Sequence, residues 1–88
     1  QDQEMQFKIY AKRNKYLGEW VAKKLGKNNE ETQQYIQELI KADLEEPGDQ
    51  DVFRKIKRDF EKQKILIDDS EITKNMTSTL ESAKKDFK

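Results

Sequence analysis

The chain's 88 residues limit it to one domain with a modest core, and 18 basic residues against 18 acidic ones leave no net charge to draw it toward nucleic acid or an anionic membrane. Cys and His are both absent, which excludes disulfides, thiolate chemistry, imidazole bases and nearly all zinc sites. Charged residues make up 41% of the chain and hydrophobic ones 33%, a balance that leans toward disorder unless the apolar residues recur where helix faces need them.

They do recur. Residues 2–25 read as the first and longest helix. At helical periodicity Lys8, Lys12, Lys15, Glu19 and Lys23 share one narrow stripe, while Met5, Phe7, Ile9, Tyr10, Tyr16, Leu17, Trp20, Val21 and Leu25 fill the remaining arc. That arc is about twice the ~100° an ordinary surface helix buries. The helix is therefore expected to be gripped from several sides, with Trp20 largely buried. Gly26 supplies a left-handed residue to end it, behind Lys23 and Lys24, whose charge suits the negative end of a helix.

A second helix over 29–45 opens with Asn28 and Glu31 in capping-box spacing and shows an apolar face of Tyr35, Ile36, Leu39 and Ile40. Pro47 and Gly48 stop it. Asp49 caps a third helix over 50–63, facing inward with Val52, Phe53, Ile56 and Phe60. The run from Lys64 to Ile67 is too short for a sheet with no partner strand, so it is expected as an extended connector that plugs Ile65 and Ile67 into the bundle's end. A fourth helix over 69–86 begins at Asp68, with Asp69 or Ser70 as alternative caps, and presents Ile72, Met76, Leu80, Ala83 and Phe87. Short connections favour antiparallel neighbours. The expected fold is all-α, an antiparallel four-helix bundle with a long first helix, in a single domain over 1–88. No apolar run reaches the ~18 residues that a bilayer span requires, and no signal-peptide core is present. The chain begins at Gln1 without Met and reads as a processed or trimmed fragment.

Gly18 stands in the middle of the first helix, where Gly costs about 0.8–1 kcal/mol relative to Ala. With Ala11 and Ala22 it forms a small-residue groove. The groove could dock a foreign helix, as an adaptor would, or admit one of the chain's own helices; the second reading is preferred. Arg13 and Asn14 fall within the apolar arc, on opposite flanks, where polar groups must be paired. The acidic stretch Asp43, Glu45, Glu46, Asp49 and Asp51 offers the partners, and an anion site at Arg13 is the sharper alternative. The basic stripe and the third-helix run Arg54, Lys55, Lys57, Arg58 and Lys62 could meet phosphates. The aromatics face away from the stripe and the net charge is nil, so no nucleic-acid partner is expected, an RNA-associated protein being the weakest alternative. Without a Gly-rich phosphate loop, or a base beyond Lys and carboxylates, the chain reads as a non-enzyme with no catalytic residues, cofactor or metal.

Two segments carry a resemblance: AKRNKYLGEWVA from Ala11 to Ala22, and ADLEEPGDQDV from Ala42 to Val52. Together they resemble the alphaproteobacterial family whose characterised member is the zeta inhibitor subunit of the F-type ATP synthase. The similarity spans essentially the whole chain, with Lys12 where an Arg is common and Leu44 where an aromatic is common. It implies a four-helix domain whose N-terminal arm, upstream of the position matching Gln1, enters a catalytic interface of the synthase head and blocks ATP hydrolysis sterically. By that resemblance the catalytic head of the F-type ATP synthase is the partner. The location is cytoplasmic, peripheral to the inner membrane through the synthase and without direct membrane insertion. Residues Gln1 to Phe7 become the junction between arm and bundle, and Met5, Phe7, Lys8, Lys12 and Lys15 the partner-binding set. The remaining motif residues, Arg13, Asn14, Leu17, Gly18, Trp20, Asp43, Glu45, Glu46, Pro47, Gly48 and Asp49, take structural roles.

Overall fold

The first helix begins where the Asp2 carboxylate accepts the Glu4 amide at 2.9 Å, covering one of the four N–H groups that a helix start leaves open. A computed structural model describes residues 2–45 and 48–88 and forms four helices: α1 (Gln3–Lys24), α2 (Asn29–Glu45), α3 (Gln50–Lys62) and α4 (Asp69–Asp86). Gln1, Glu46 and Pro47 lie outside the described residues, and with them the helix stop assigned to Pro47 and the structural roles given to Glu46 and Pro47.

Each boundary has a local cause. Helix α1 ends on Gly26 at φ 75°, with the Lys27 amide donating to the Ala22 carbonyl and the Gly26 amide to Lys23, the paired bonds of a Schellman stop. The capping box before α2 is reciprocal: Glu31 N–H donates to Asn28 Oδ1 at 2.8 Å and Asn28 N–H to Glu31 Oε1 at 2.9 Å. Asp49 and Asp68 occupy the cap positions of α3 and α4, yet neither carboxylate makes a capping bond. Asp49, at φ −97° and ψ 1°, lacks the extended backbone of an N-cap, and its Oδ1 accepts from Arg13 instead. Helix α3 ends on Lys64, at φ 58°, with the Ile65 amide returning to the Phe60 carbonyl and that of Lys64 to Glu61. This is the same stop as at Gly26, built on a residue with a Cβ.

Side-chain pairs fix the directions. Asn14 meets Asp43 and Gly18 meets Ile36, so α2 runs back along α1. Lys55 reaches Glu38, and Tyr35 reaches Asp59, so α3 runs back along α2. Lys57 pairs with Asp69 while Phe53 lies near Met76 and Leu80, and Lys24 pairs with Glu71 while Tyr16 bonds Asp86, so α4 runs antiparallel to both α3 and α1. The result is an up-down-up-down bundle with α1 held between α2 and α4. Leu17, Val21, Tyr35, Leu39, Val52, Ile56, Phe60, Ile72 and Met76 form its core.

Ile9, Arg13, Leu17, Val21, Gly18 and Ala22 of α1 are buried, a face roughly 200° wide at 100° per residue. Both neighbours of α1 are needed to cover it. Trp20 is mostly covered but not fully buried, lying at the edge of the core with its ring edge-on to Phe60 at 5.8 Å and 77°. Ile65 and Ile67 tuck against the core, while Leu66 between them is 99% exposed, the alternation of an extended segment. Phe87, expected on the inner face of α4, is its C-cap residue and stands 36% exposed.

Candidate functional site

The two motif segments meet. Arg13 and Asn14 are successive residues of α1, both buried, and they are joined rather than set on opposite flanks: Arg13 Nε donates to Asn14 Oδ1 at 2.8 Å. From there the pair reaches across to the α2–α3 turn. Asn14 Nδ2 donates to Asp43 Oδ2 at 3.2 Å, and Arg13 Nη2 donates to Asp49 Oδ1 at 3.0 Å while lying 3.7 Å from Asp43 Oδ1. The guanidinium also stacks on the Tyr10 ring, 5.2 Å from its centroid. Arg13 Nη1 is buried with no hydrogen-bond partner among the described residues. Of the acidic partners foreseen for Arg13, Asp43 and Asp49 serve; Glu45 is exposed and Asp51 pairs with Arg54. Burial raises the Asp43 carboxyl above the usual aspartate range, against the Asn14 hydrogen bond and the Arg13 charge, which pull it down.

Gly18 answers a different need. A Cβ there would fall 2.8 Å from Ile36 Cγ1 and 3.3 Å from Ile36 Cα. The small-residue groove is therefore filled by α2 at Gly18, leaving no room for a foreign helix at that point, and Ala22 is fully buried. Leu17 is fully buried beside it, and Gly48 turns the chain at φ 91°. These residues hold the bundle together.

The proposed partner-binding residues divide between two faces. Lys8 and Lys15 are exposed on the solvent stripe, Lys15 with Glu19 at 3.8 Å, and Lys12 is partly covered with its Nζ 5.8 Å from the Tyr16 ring. Phe7 faces elsewhere. It lines an open groove of about 350 Å³ with Tyr10 and Ala11 of α1, Ile40 and Leu44 of α2, and the carboxylates of Asp43 and Asp49. Met5 is partly buried and does not line it. The groove exists because α1 overhangs α2: with Asn14 opposite Asp43, two antiparallel turns further along α1 there is no α2 left to cover Phe7. Sequence periodicity placed Phe7 and Ile40 among core residues and missed this groove. The signal available was the spacing Ile36, Ile40, Leu44, an apolar row that runs to the end of α2.

No group of three or more His, Cys, Asp or Glu among the described residues could hold a metal ion, and no helix among them is long and apolar enough to cross a membrane. What the geometry defines is a small helical domain whose polar junction is consumed in joining α1 to the α2–α3 turn. The family profile for ATPase inhibitor subunit zeta matches residues 1–86, and the chain belongs to that family. No curated protein and no solved structure matched the chain in the corresponding searches.

Proposed function

We propose that the chain is the helical domain of an inhibitor of the F-type ATP synthase, blocking ATP hydrolysis sterically through an N-terminal arm that leads into α1. The observation that carries this reading is the family match across residues 1–86. The structure is in keeping with it at one end. The first turns of α1 overhang the bundle, with Phe7 52% exposed, so a segment entering α1 would be projected away from the body. Membership in a family of inhibitor subunits also accords with a protein that does no chemistry of its own. On this reading the protein acts at the synthase on the cytoplasmic side of the inner membrane. A tether of this kind raises the effective concentration of the arm at its cleft, while the arm loses conformational entropy on entering it.

ATP hydrolysis by the cognate isolated head complex tests the reading with three ligands: the 88-residue chain, the chain extended upstream by its native residues, and the upstream peptide alone. The extended chain is expected to inhibit, and the other two to act weakly. Full inhibition by the 88-residue chain would move the active element into α1, with Lys8, Lys12 and Lys15 as the residues to substitute first. Inhibition by none would remove the proposed function and leave the fold untouched.

A further inference from the structure

The groove beneath Phe7 has a chemistry that steric inhibition by an arm does not use. Much of its wall is apolar, and Phe7 and Leu44, which are 52% and 65% exposed, stand on its two sides. Large apolar side chains gathered around one concavity mark interaction surfaces more often than isolated exposed ones do. Among the described residues, the charged side chains lining it are Asp43 and Asp49. Arg13 shares its single positive charge between them, at 3.0 Å from Asp49 and 3.7 Å from Asp43. Two carboxylates against one guanidinium leave the site net negative. Asp49 keeps 46% of its side chain exposed although its Oδ1 accepts from Arg13, so it can meet a second cation from the open side.

We propose that this groove docks a protein segment that presents one large apolar side chain with a Lys or Arg about one helical turn away. The apolar side chain would lie against Tyr10, Ala11, Ile40 and Leu44, and the cation would face Asp49. Charge complementarity selects this occupant: phosphates and acidic peptides meet the wrong sign. A groove of about 350 Å³ is at the small end for ligand pockets, and its open form suits an anchor residue on a larger partner. The inference goes beyond the inhibitory reading and stands without it.

The test is an NMR titration of the isotopically labelled 88-residue chain with two synthetic helical peptides. Both carry the same single Phe anchor, with Lys one helical turn away in one and Glu in the other. The Lys peptide is expected to shift the amides of Tyr10, Ala11, Ile40 and Leu44 and to bind about tenfold more tightly than the Glu peptide. Leu44→Ser, at an exposed position that should leave the thermal melt unchanged, is expected to weaken the Lys peptide about tenfold. Equal affinity for the two peptides would overturn the charge matching. Shifts centred elsewhere, no shifts up to about 1 mM peptide, or an unaltered titration in Leu44→Ser would overturn the site. Measuring inhibition of the head complex by extended chains with and without Leu44→Ser keeps failure of the groove distinct from failure of the inhibitory function.

Discussion

Removing the Arg13 side chain would leave Asp43 and Asp49 facing one another with no cation between them, and Asn14 without its Nε donor. Breaking a buried pair from one side typically costs 3–5 kcal/mol; because Asp49 is half exposed and can recover some hydration, Arg13→Ala is expected to cost about 2–4 kcal/mol. Among the described residues Lys12, one residue earlier, makes a ring contact with Tyr16, and Lys12→Ala should stay within about 0.5 kcal/mol. Urea melts of the two variants compare them directly, and equal effects would sink the pairing of Arg13. Acid is not expected to break this junction at Asp43. Its folded pKa is raised, chiefly by burial, so the folded chain takes up that proton before the unfolded chain does. The Asp43 contribution to stability therefore increases as pH falls through the folded value, and is fully gained below the unfolded one.

Where helices meet and stop, backbone geometry decides which substitutions are tolerated. Gly18→Ala gains about 0.8–1 kcal/mol of helix propensity but sets a Cβ against Ile36 at 2.8 Å from Cγ1 and 3.3 Å from backbone Cα, overpacking that costs about 1–3 kcal/mol. The variant is expected to be less stable, and in its background Ile36→Ala should cost less than in the parent by at least about 0.5 kcal/mol. Thermal melts of the four-protein cycle check this; strict additivity would mean that α2 simply moves away. Lys64 offers the opposite case. It holds φ 58° in the Schellman stop of α3, a conformation costing a residue with a Cβ about 1–2 kcal/mol. Lys64→Gly should therefore raise stability by about 0.5–1 kcal/mol after the entropy of Gly is counted, seen as a higher melting temperature. These details mark what the sequence discloses. Gly26 and the Asn28–Glu31 box announce their boundaries because the residue type itself performs the bond. Lys64 gives no such sign, since nothing in a lysine specifies a left-handed backbone. Asp49 misleads, because its residue type suggests a cap while its backbone is not extended and its Oδ1 meets a distant guanidinium. The Arg13–acid pairing was legible from the cost of burying a charge, and the groove was not, because helical periodicity assigns a face without saying where the neighbouring helix ends.

At the scale of the whole molecule, α2 and α3 are joined by a polar chain on the flank of the core. Tyr35 OH donates to Asp59 at 2.8 Å, and Lys55 donates to Asp59 at 3.0 Å and lies 2.8 Å from Glu38. Burial, then the hydrogen bond to Asp59, raises the Tyr35 phenol well above its ordinary value of 10.0. Burial pulls Lys55 down, but hydrogen bonds to Glu38 and Asp59 outweigh it and raise its pKa in the folded chain. Both shifts act in the same direction. As pH climbs through about 10 the unfolded chain releases these protons while the folded chain keeps them, so the unfolded state binds fewer protons and stability falls with pH. For a single such group the slope approaches about 1.4 kcal/mol per pH unit. Tyr35→Phe separates the tyrosine from the lysine. At pH 7 it loses one hydrogen bond, while Asp59 retains Lys55, so the variant should be less stable by about 0.5–1.5 kcal/mol. Above pH 10 the parent carries the phenol's penalty for unfolded-state ionisation and the variant does not, so the gap should narrow and then close. Urea melts of both proteins from pH 7 to 11 read this as converging midpoints. Parallel curves across that range would show that the Tyr35 phenol ionises alike in the folded and unfolded chains, and that the alkaline slope belongs to Lys55 alone.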